Sequence, residues 1–404
     1  VGCALGGWND HAVCEVTSRF VTQGSDAHTG YVLGRGSIFH PADAAYANTH
    51  MIRVLDWNDT YLSLEPAHPS DNIGALLAVC GLREISGKDF LTAMVLAYEI
   101  QCRFCDAASL RANGWDHTYY VQIASALATA KLLGLSRQDM KTAVSLAMRK
   151  APLRQIRAGT QLSMSKGTAA AEAAREAVWS ILLVQKGMTG PSEMVEGRFG
   201  MIQQVTGELR LEAFENLGDH FKLPETYIMF YPVEYHAQAV VEAGLRLRRR
   251  IKDFGRIEAI HIQSYEAARA IIGDAEKRRP MTKESADHSL FYILAVTLLD
   301  GEMTLRQYAV DRFGDPRVLA LIDKMSDIHE VQAYNEAYMR HEFPLAVQAH
   351  MGGETMESVF VRIPKGHPLN PLSDEELTEK FYGAAGTLPP PMYEGQGLEN
   401  LLLN

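Results

Sequence analysis

The sequence predicts a mainly α protein, built as a discontinuous all-helical domain with an inserted α+β lid domain. Three observations carry this reading. From Pro41 to Gly187 the chain is a near-continuous succession of Ala-rich and apolar helical stretches. Near residue 225 the texture changes, and "GRIEAIHIQSY", "FPLAVQAHM" and "ETMESVFVRI" alternate like strands. After "PKGHPLNPLSDEEL" the pattern is helical again. The boundaries read this way are 1–227 for the helical domain, 228–365 for the lid and 366–404 for the helical return. A chain of 404 residues suits about two or three domains, and 47% hydrophobic residues supply a sizeable core.

The elements follow in order. Residues 1–40 are Gly- and Thr-rich and read as loops and short pieces. "PADAAYANTHMIRVLDW" opens a helix with Pro-x-Asp, and "PSDNIGALLAVCGLREI" opens another with Pro69, Ser70 and Asp71. "GKDFLTAMVLAYEIQCRFC" and "HTYYVQIASALATAKLLG" are apolar on nearly every face, as helices at the centre of a bundle are. "SRQDMKTAVSLAMRK" places Asp139 three residues after Ser136, close to a capping box. "KGTAAAEAAREAVWSILLVQKG" stops at Gly187. Within the inserted region helices fall at about 235–251 and 283–300, and Gly352-Gly353 signals a hairpin.

Composition removes several classes of function. A net charge of −10 argues against a nucleic-acid partner but not against a small anion, which needs only a local cluster of cations. Five cysteines in so long a chain look like reduced, cytosol-type usage. Cys102 and Cys105 lie inside one helical stretch with no second pair, so they read as small core residues. No run reaches membrane-span length and no signal peptide is visible. The chain starts at Val1 without Met, so a preceding segment is expected. The histidines are scattered without metal-ligand spacing, and no nucleotide-binding glycine motif or nucleophile elbow is present. No metal and no cofactor are expected.

What remains is acid–base chemistry. "DWNDTYLSLEPAHPSDNIGA" concentrates Asp56, Asp59, Glu65 and His68 ahead of a helix start, whose free N–H groups and positive dipole end can seat a carboxylate. Asp56 and Thr60 share a face if the preceding helix runs on to Thr60. "GWDHTYY" repeats the theme with Asp116 and His117. Lys166, flanked by Ser165, Gly167 and Thr168, is expected to point into a cleft, with Arg154 and Arg157 adding positive charge. At a helix start its removal should cost little stability. His236 opens the inserted region, and Arg279, Asp287 and His288 surround a further helix start. Taken singly, each of these is more simply a cap or a solvated charge. Taken as a block, residues 56–75 point to function.

Four blocks carry a resemblance: "MIRVLDWNDTYLSLEPAHPSDNIGA", "GWDHTYYVQIASALATAKLLGL", "YPVEYHAQAVVEA" and "KESADHSLFYILAVTLLDG". In this order they resemble the MmgE/PrpD family, whose members include 2-methylcitrate dehydratases and cis-aconitate decarboxylases. The likeness covers essentially the whole chain. It implies the discontinuous helical domain, the α+β lid, a homodimer and independence of metal or iron–sulfur cluster. It implies active-site positions at Asp56, Thr60, His68, Lys166 and His236, with Tyr265 a looser match, and Asp116, His117, Arg279 and His288 as candidates for substrate binding. "NDTYLSLEPAHPSDN" and "GWDHTYY" look like the dehydratase branch. The implied activity is elimination of water from 2-methylcitrate, a small tricarboxylate, in the cytoplasm, or in the mitochondrial matrix if a transit peptide precedes a eukaryotic chain. Lys166 and the helix starts would hold carboxylates, while His68 and His236 are the best proton carriers, either of which can be the base. The two are expected on opposite walls of one cleft. Decarboxylation of cis-aconitate or epimerisation of a related dicarboxylate uses the same proton transfer and stays open. A reading of another class is a non-catalytic helical protein that binds small anions.

Overall fold

The computed structural model describes residues 1–404 apart from 12, 14–16, 18–28, 35, 158–161 and 386–404. Cys14, part of the loop-rich start and the end of the helical return lie outside the described residues. Two compact units form. The first comprises Val1–Arg157, Met164–Thr226 and a return beginning at Asp374; the second comprises Tyr227–Ser373, to which Leu162 and Ser163 also belong.

The first unit is helical, with one small ribbon of β1 (Gly30–Val32) and β2 (Gly36–Phe39). Its helices are α1 (Gly2–Gly7), α2 (Pro41–Arg53), α3 (Ile73–Val79), α4 (Gly87–Ala107), α5 (Thr118–Leu132), α6 (Arg137–Ala147) and α7 (Ser165–Gln185). The start signals work as capping chemistry requires. Ser86 accepts a hydrogen bond from the Asp89 N–H and Ser136 one from the Asp139 N–H. Pro69–Asn72 forms a 3-10 turn, and the α-helix begins only at Ile73. Gly187 ends α7 with a φ of 88°, a conformation that favours glycine.

Helix α5 lies in the middle, packed on α4, α6 and α7, and α2 packs on α3 and α7. Thirteen of the fifteen residues of α5 are buried, in line with an apolar surface on every side. Cys102 and Cys105 are fully buried among Tyr61, Leu110, Tyr119, Tyr120 and Ile123, as small core residues. The buried Arg103 of α4 donates to the carbonyls of Ala213, Glu215 and His220, and so ties the irregular segment after α7 to the bundle. The terminal helix Asp374–Ala385 packs on α1.

The second unit is built on a five-stranded sheet. Its strands are β3 (Ile257–Ser264), β4 (Met325–Glu330), β5 (Leu345–Met351), β6 (Glu354–Thr355) and β7 (Val359–Val361). Strand β3 is central, parallel to β4 and antiparallel to β5, while β5 also pairs with β6 and β7. The Gly352-Gly353 hairpin joins β5 to β6, both glycines having positive φ. The single strand expected over "ETMESVFVRI" is instead two, interrupted at Met356–Ser358. Helix α8 (Gln238–Arg248) covers β5 and packs in turn on α9 (Leu290–Asp300), whose residues up to Leu298 are all buried. The stretch expected as one helix over 283–300 breaks at His288 and Ser289. Ser289 caps α9 by accepting from the Tyr292 N–H. Among the described residues no helix is long and apolar enough to cross a membrane.

One close approach fixes the geometry that matters below. Gly74 of α3 lies so near Thr49 of α2 that an added Cβ would collide with the Thr49 backbone and hydroxyl. That hydroxyl donates to the Asp71 carbonyl at 3.2 Å. Gly74→Ala is therefore expected to destabilise the protein by roughly 1–3 kcal/mol, the usual cost of overpacking. Urea unfolding reads this directly, and an unchanged midpoint would contradict the packing described.

Candidate active site

The site in the first unit begins where α2 ends. The helix stops at Arg53 and does not run on to Thr60. Thr60 sits in an extended segment and donates its hydroxyl to the Ala67 carbonyl at 3.0 Å, so Asp56 and Thr60 do not share a helical face. Instead Asp56 takes a φ of 49°. Short polar residues tolerate this left-handed conformation better than others, and non-glycine residues held in it cluster at functional sites. The turn places the Asp56 carboxylate between two cations. Arg53 Nη1 donates to Oδ1, and Lys166 Nζ lies 2.6 Å from Oδ2. All three side chains are buried, at 2% exposure for Asp56, 4% for Arg53 and 5% for Lys166. Lys166 is thus a buried ion-pair partner, and the expectation that it could be removed cheaply as a solvated helix-start residue does not hold.

His68 lies across from Asp56. Its Nδ1 is 2.7 Å from the Asp59 carbonyl oxygen and its Nε2 is 2.9 Å from Arg53 Nη2. The His117 ring stands edge-on to it, centroids 5.5 Å apart. Burial and then the Arg53 charge hold the His68 imidazole well below its ordinary pKa. Burial and then Arg157 do the same to His117. Beside His117, the fully buried Asp116 accepts from Thr118 and pairs with Arg157 Nε at 2.7 Å. Burial pushes the Asp116 carboxyl up, but Arg157 outweighs it and holds the group below the usual carboxylate range.

Behind these lies a second layer. Asp59 accepts from the Ser70 hydroxyl at 2.6 Å and from the Tyr98 hydroxyl at 2.6 Å, and burial raises its pKa. Asp71 is fully buried, with its carboxyl pushed up to about 8 by burial against the pull of Arg53. Arg154, half-buried, makes no side-chain hydrogen bond among the described residues. In all, Arg53, Lys166, Arg154 and Arg157 face the charged Asp56 and Asp116, with both histidines neutral.

The second unit holds the remaining candidates. His236 is buried, with Nδ1 2.6 Å from the Tyr265 hydroxyl and its backbone N–H donating to Glu234. Tyr265 stacks on Tyr338 at 4.6 Å, and burial raises its phenol pKa well above the ordinary value. Phe343 walls the same pocket of rings. His288 Nδ1 lies 2.5 Å from the buried Asp287. Arg279 is exposed and its guanidinium pairs with exposed Asp323 at 3.0 Å, so it is not brought to the His236 group.

Some of these residues were not foreseen. Arg53 carries a signal, three positions before Asp56 at a helix end. Asp71, Tyr98 and Tyr338 carry none, because their partners are set by long-range packing, while Glu234 accepts locally from the His236 N–H two residues on.

Chemically, the cluster in the first unit is suited to holding a small anion beside groups that exchange protons, on a mainly α scaffold. Residues 1–213 match the MmgE/PrpD N-terminal domain and residues 231–393 the MmgE/PrpD C-terminal domain, so the chain belongs to the MmgE/PrpD family. It is 32% identical over 356 residues to the 2-methylcitrate dehydratase of Escherichia coli (strain K12), covering 81% of this chain and 71% of that one. It is 29% identical over 391 residues to the mitochondrial 2-methylcitrate dehydratase of Yarrowia lipolytica, covering 91% and 74%. It is 28% identical over 408 residues to alkylcitrate dehydratase phiI of a fungal species, covering 94% and 80%.

Two outcomes follow from the buried charges. Lys166→Ala leaves a buried carboxylate with one cation fewer, which should cost toward the lower end of roughly 3–5 kcal/mol because Arg53 remains. A melting temperature equal to that of the unaltered protein would refute this. The two depressed histidines also set an acid limit. They are neutral when folded but take up protons at about pH 6.5 when unfolded, so the unfolded chain binds more protons and stability falls as pH drops below about 6.5. The double variant His68→Gln, His117→Gln should lose that dependence, as denaturant midpoints measured between neutral pH and about pH 5 would show.

Proposed function

We propose that this protein is a hydro-lyase that eliminates water from 2-methylcitrate to give 2-methyl-cis-aconitate by acid–base catalysis without metal. The observation that carries the reading is the buried, cation-rich cluster around Asp56, on a chain whose relatives bear the name 2-methylcitrate dehydratase. A tricarboxylate brings a charge of about −3 at neutral pH, since its carboxyls titrate near 4. Such a ligand needs cations whose own carboxylate partners do not cancel them, and Arg154, which makes no side-chain hydrogen bond among the described residues, supplies one.

The chemistry asks for three things. A proton leaves the carbon next to a carboxylate, hydroxide leaves the neighbouring carbon, and charge grows on the carboxylate beside the forming double bond. Fixed cations oriented before the reaction stabilise that charge with little reorganisation. Neutral imidazoles can accept the proton. His236 and Tyr265 serve the same reading as a histidine oriented by a phenol. The homodimer and the metal independence belong to the proposal as well.

The test is direct. Purified protein is incubated with 2-methylcitrate, citrate and cis-aconitate, before and after dialysis against a chelator, and products are identified by mass. Loss of one water from 2-methylcitrate, undiminished by the chelator, is expected. Loss of carbon dioxide from cis-aconitate would move the protein to decarboxylation. Activity that vanishes on chelation and returns with iron or zinc would end the metal-free reading.

A further inference from the structure

His68 and His117 lie edge to edge in one cluster, but their nitrogens are placed differently. His68 has both engaged. The Asp59 carbonyl facing Nδ1 can only accept, so Nδ1 carries the proton. The Arg53 guanidinium facing Nε2 can only donate, so the Nε2 lone pair is taken up by Arg53. To receive a proton there, His68 would have to release Arg53 and then turn an N–H toward a guanidinium. His117 has no such commitments. Among the described residues neither of its nitrogens makes a hydrogen bond, and only Nδ1 is sealed from solvent without a partner.

We propose that His117, through Nε2, is the group that takes the proton from the substrate carbon, and that His68 is a positioning residue that holds Arg53 against Asp56. The inference rests on the dehydratase reading above and assigns roles within that site. The bond that breaks is C–H. Its electron pair forms the double bond as the C–O bond to the leaving hydroxide breaks, and the proton now on His117 Nε2 can pass to that hydroxide. Water and the unsaturated acid account for every atom, and no co-reactant is needed.

The surroundings of His117 explain how a weak base could do this. The groups that face it are Asp116, Arg157, Arg53 and Arg154, with the His68 ring at its edge. Burial and then the cations keep the imidazole neutral in the free protein, so it needs no prior deprotonation. A bound tricarboxylate reverses the balance, because its negative charges favour the imidazolium. The base is therefore strengthened by the substrate it acts on. Activity is lost as pH falls through the pKa of the base. The acid limb of kcat/KM, which reports the free enzyme, is then expected below about pH 6.5, and the acid limb of kcat, which reports the complex, above that of kcat/KM.

The experiment compares variants of the full chain on 2-methylcitrate. Gln has one donor and one acceptor and cannot carry a proton, so His68→Gln can keep both of the bonds made by His68. Its kcat is expected within about tenfold of the unaltered enzyme, while His117→Gln loses about a hundred- to ten-thousand-fold, the usual worth of a positioned base. Added imidazole should restore turnover to His117→Ala and not to His68→Ala. A near-normal His117→Gln, or rescue of His68→Ala alone, overturns the assignment. A folded but inactive His68→Gln overturns the positioning role. A second measurement does not need turnover. Imidazole nitrogen NMR should show His68 as the Nδ1–H tautomer throughout, and His117 gaining proton affinity when citrate, the probe ligand, is added. Citrate that leaves His117 unmoved refutes the proposal. An unaltered enzyme inert toward all three acids, with the citrate response intact, would sink the dehydratase reading alone.

Discussion

The Asp56 carboxylate, buried between Arg53 and Lys166, is the contact on which the first unit turns. It joins the end of α2 to the start of α7 across 110 positions of sequence. Taking three ionised groups out of water is costly, and the cost is offset only when each keeps a partner in good geometry. Asp56 meets this by serving both cations with different oxygens, which its left-handed backbone allows. An extended or helical Asp56 would aim the side chain elsewhere and leave Lys166 buried without its carboxylate.

The demand spreads outward from that contact. Arg53 also needs His68, and His68 needs the Asp59 carbonyl. The Asp59 side chain is in turn held by Ser70 and Tyr98, which ties the turn before α3 to the middle of α4. Asn72 continues the chain, bonded to Gln101 of α4 and to Ser125 of α5. A mainly apolar bundle therefore encloses a polar seam running through four helices. Such a seam is worth having only if nearly every member is satisfied, because an orphan buried polar group is expensive. Among the described residues some orphan atoms remain in it, including Arg53 Nε and Gln101 Nε2, and two of them, Asp71 Oδ2 and His117 Nδ1, stand next to the cationic cluster.

What was legible in the sequence divides along the same line. Local chemistry could be read. Ser136 caps its helix, Gly187 ends one, Gly352-Gly353 turns a hairpin, and the alternation in 257–264 is a strand with one buried face. These depend on neighbours a few residues away. Where the reading failed, distant partners decided. Nothing local says that α2 stops at Arg53, or that Asp56, three residues on, turns to a positive φ and pairs with Lys166. Nothing local shows that Lys166 pairs with Asp56, 110 positions away. Strand β4 went unseen because "MSDIHE" is polar, and only its parallel pairing with β3 makes it a strand. Residues 56–75 could be recognised as a functional block by their density of ionisable groups, but the division of labour between His68 and His117 is a matter of which atoms face them.

That division bears on selectivity. On the proposed mechanism the imidazole that accepts the proton is kept neutral by burial and then by Arg157, Arg53 and Arg154, and gains basicity as carboxylates arrive. Each carboxylate of the ligand then acts twice: it adds binding, and it lowers the barrier to proton removal by stabilising the imidazolium. A dicarboxylate of similar shape would bind more weakly and would also meet a weaker base. Its disadvantage would appear in kcat as well as in KM, whereas a site that used its cations for binding alone would show the loss in KM with kcat unchanged. The same coupling protects the resting protein. A strongly basic histidine would be protonated, and would add a fifth positive charge to a cluster that already holds Arg53, Lys166, Arg154 and Arg157. Lowered basicity in the free state is thus what the fold requires, and raised basicity in the complex is what the chemistry requires. A polyanionic substrate is the one component that satisfies both.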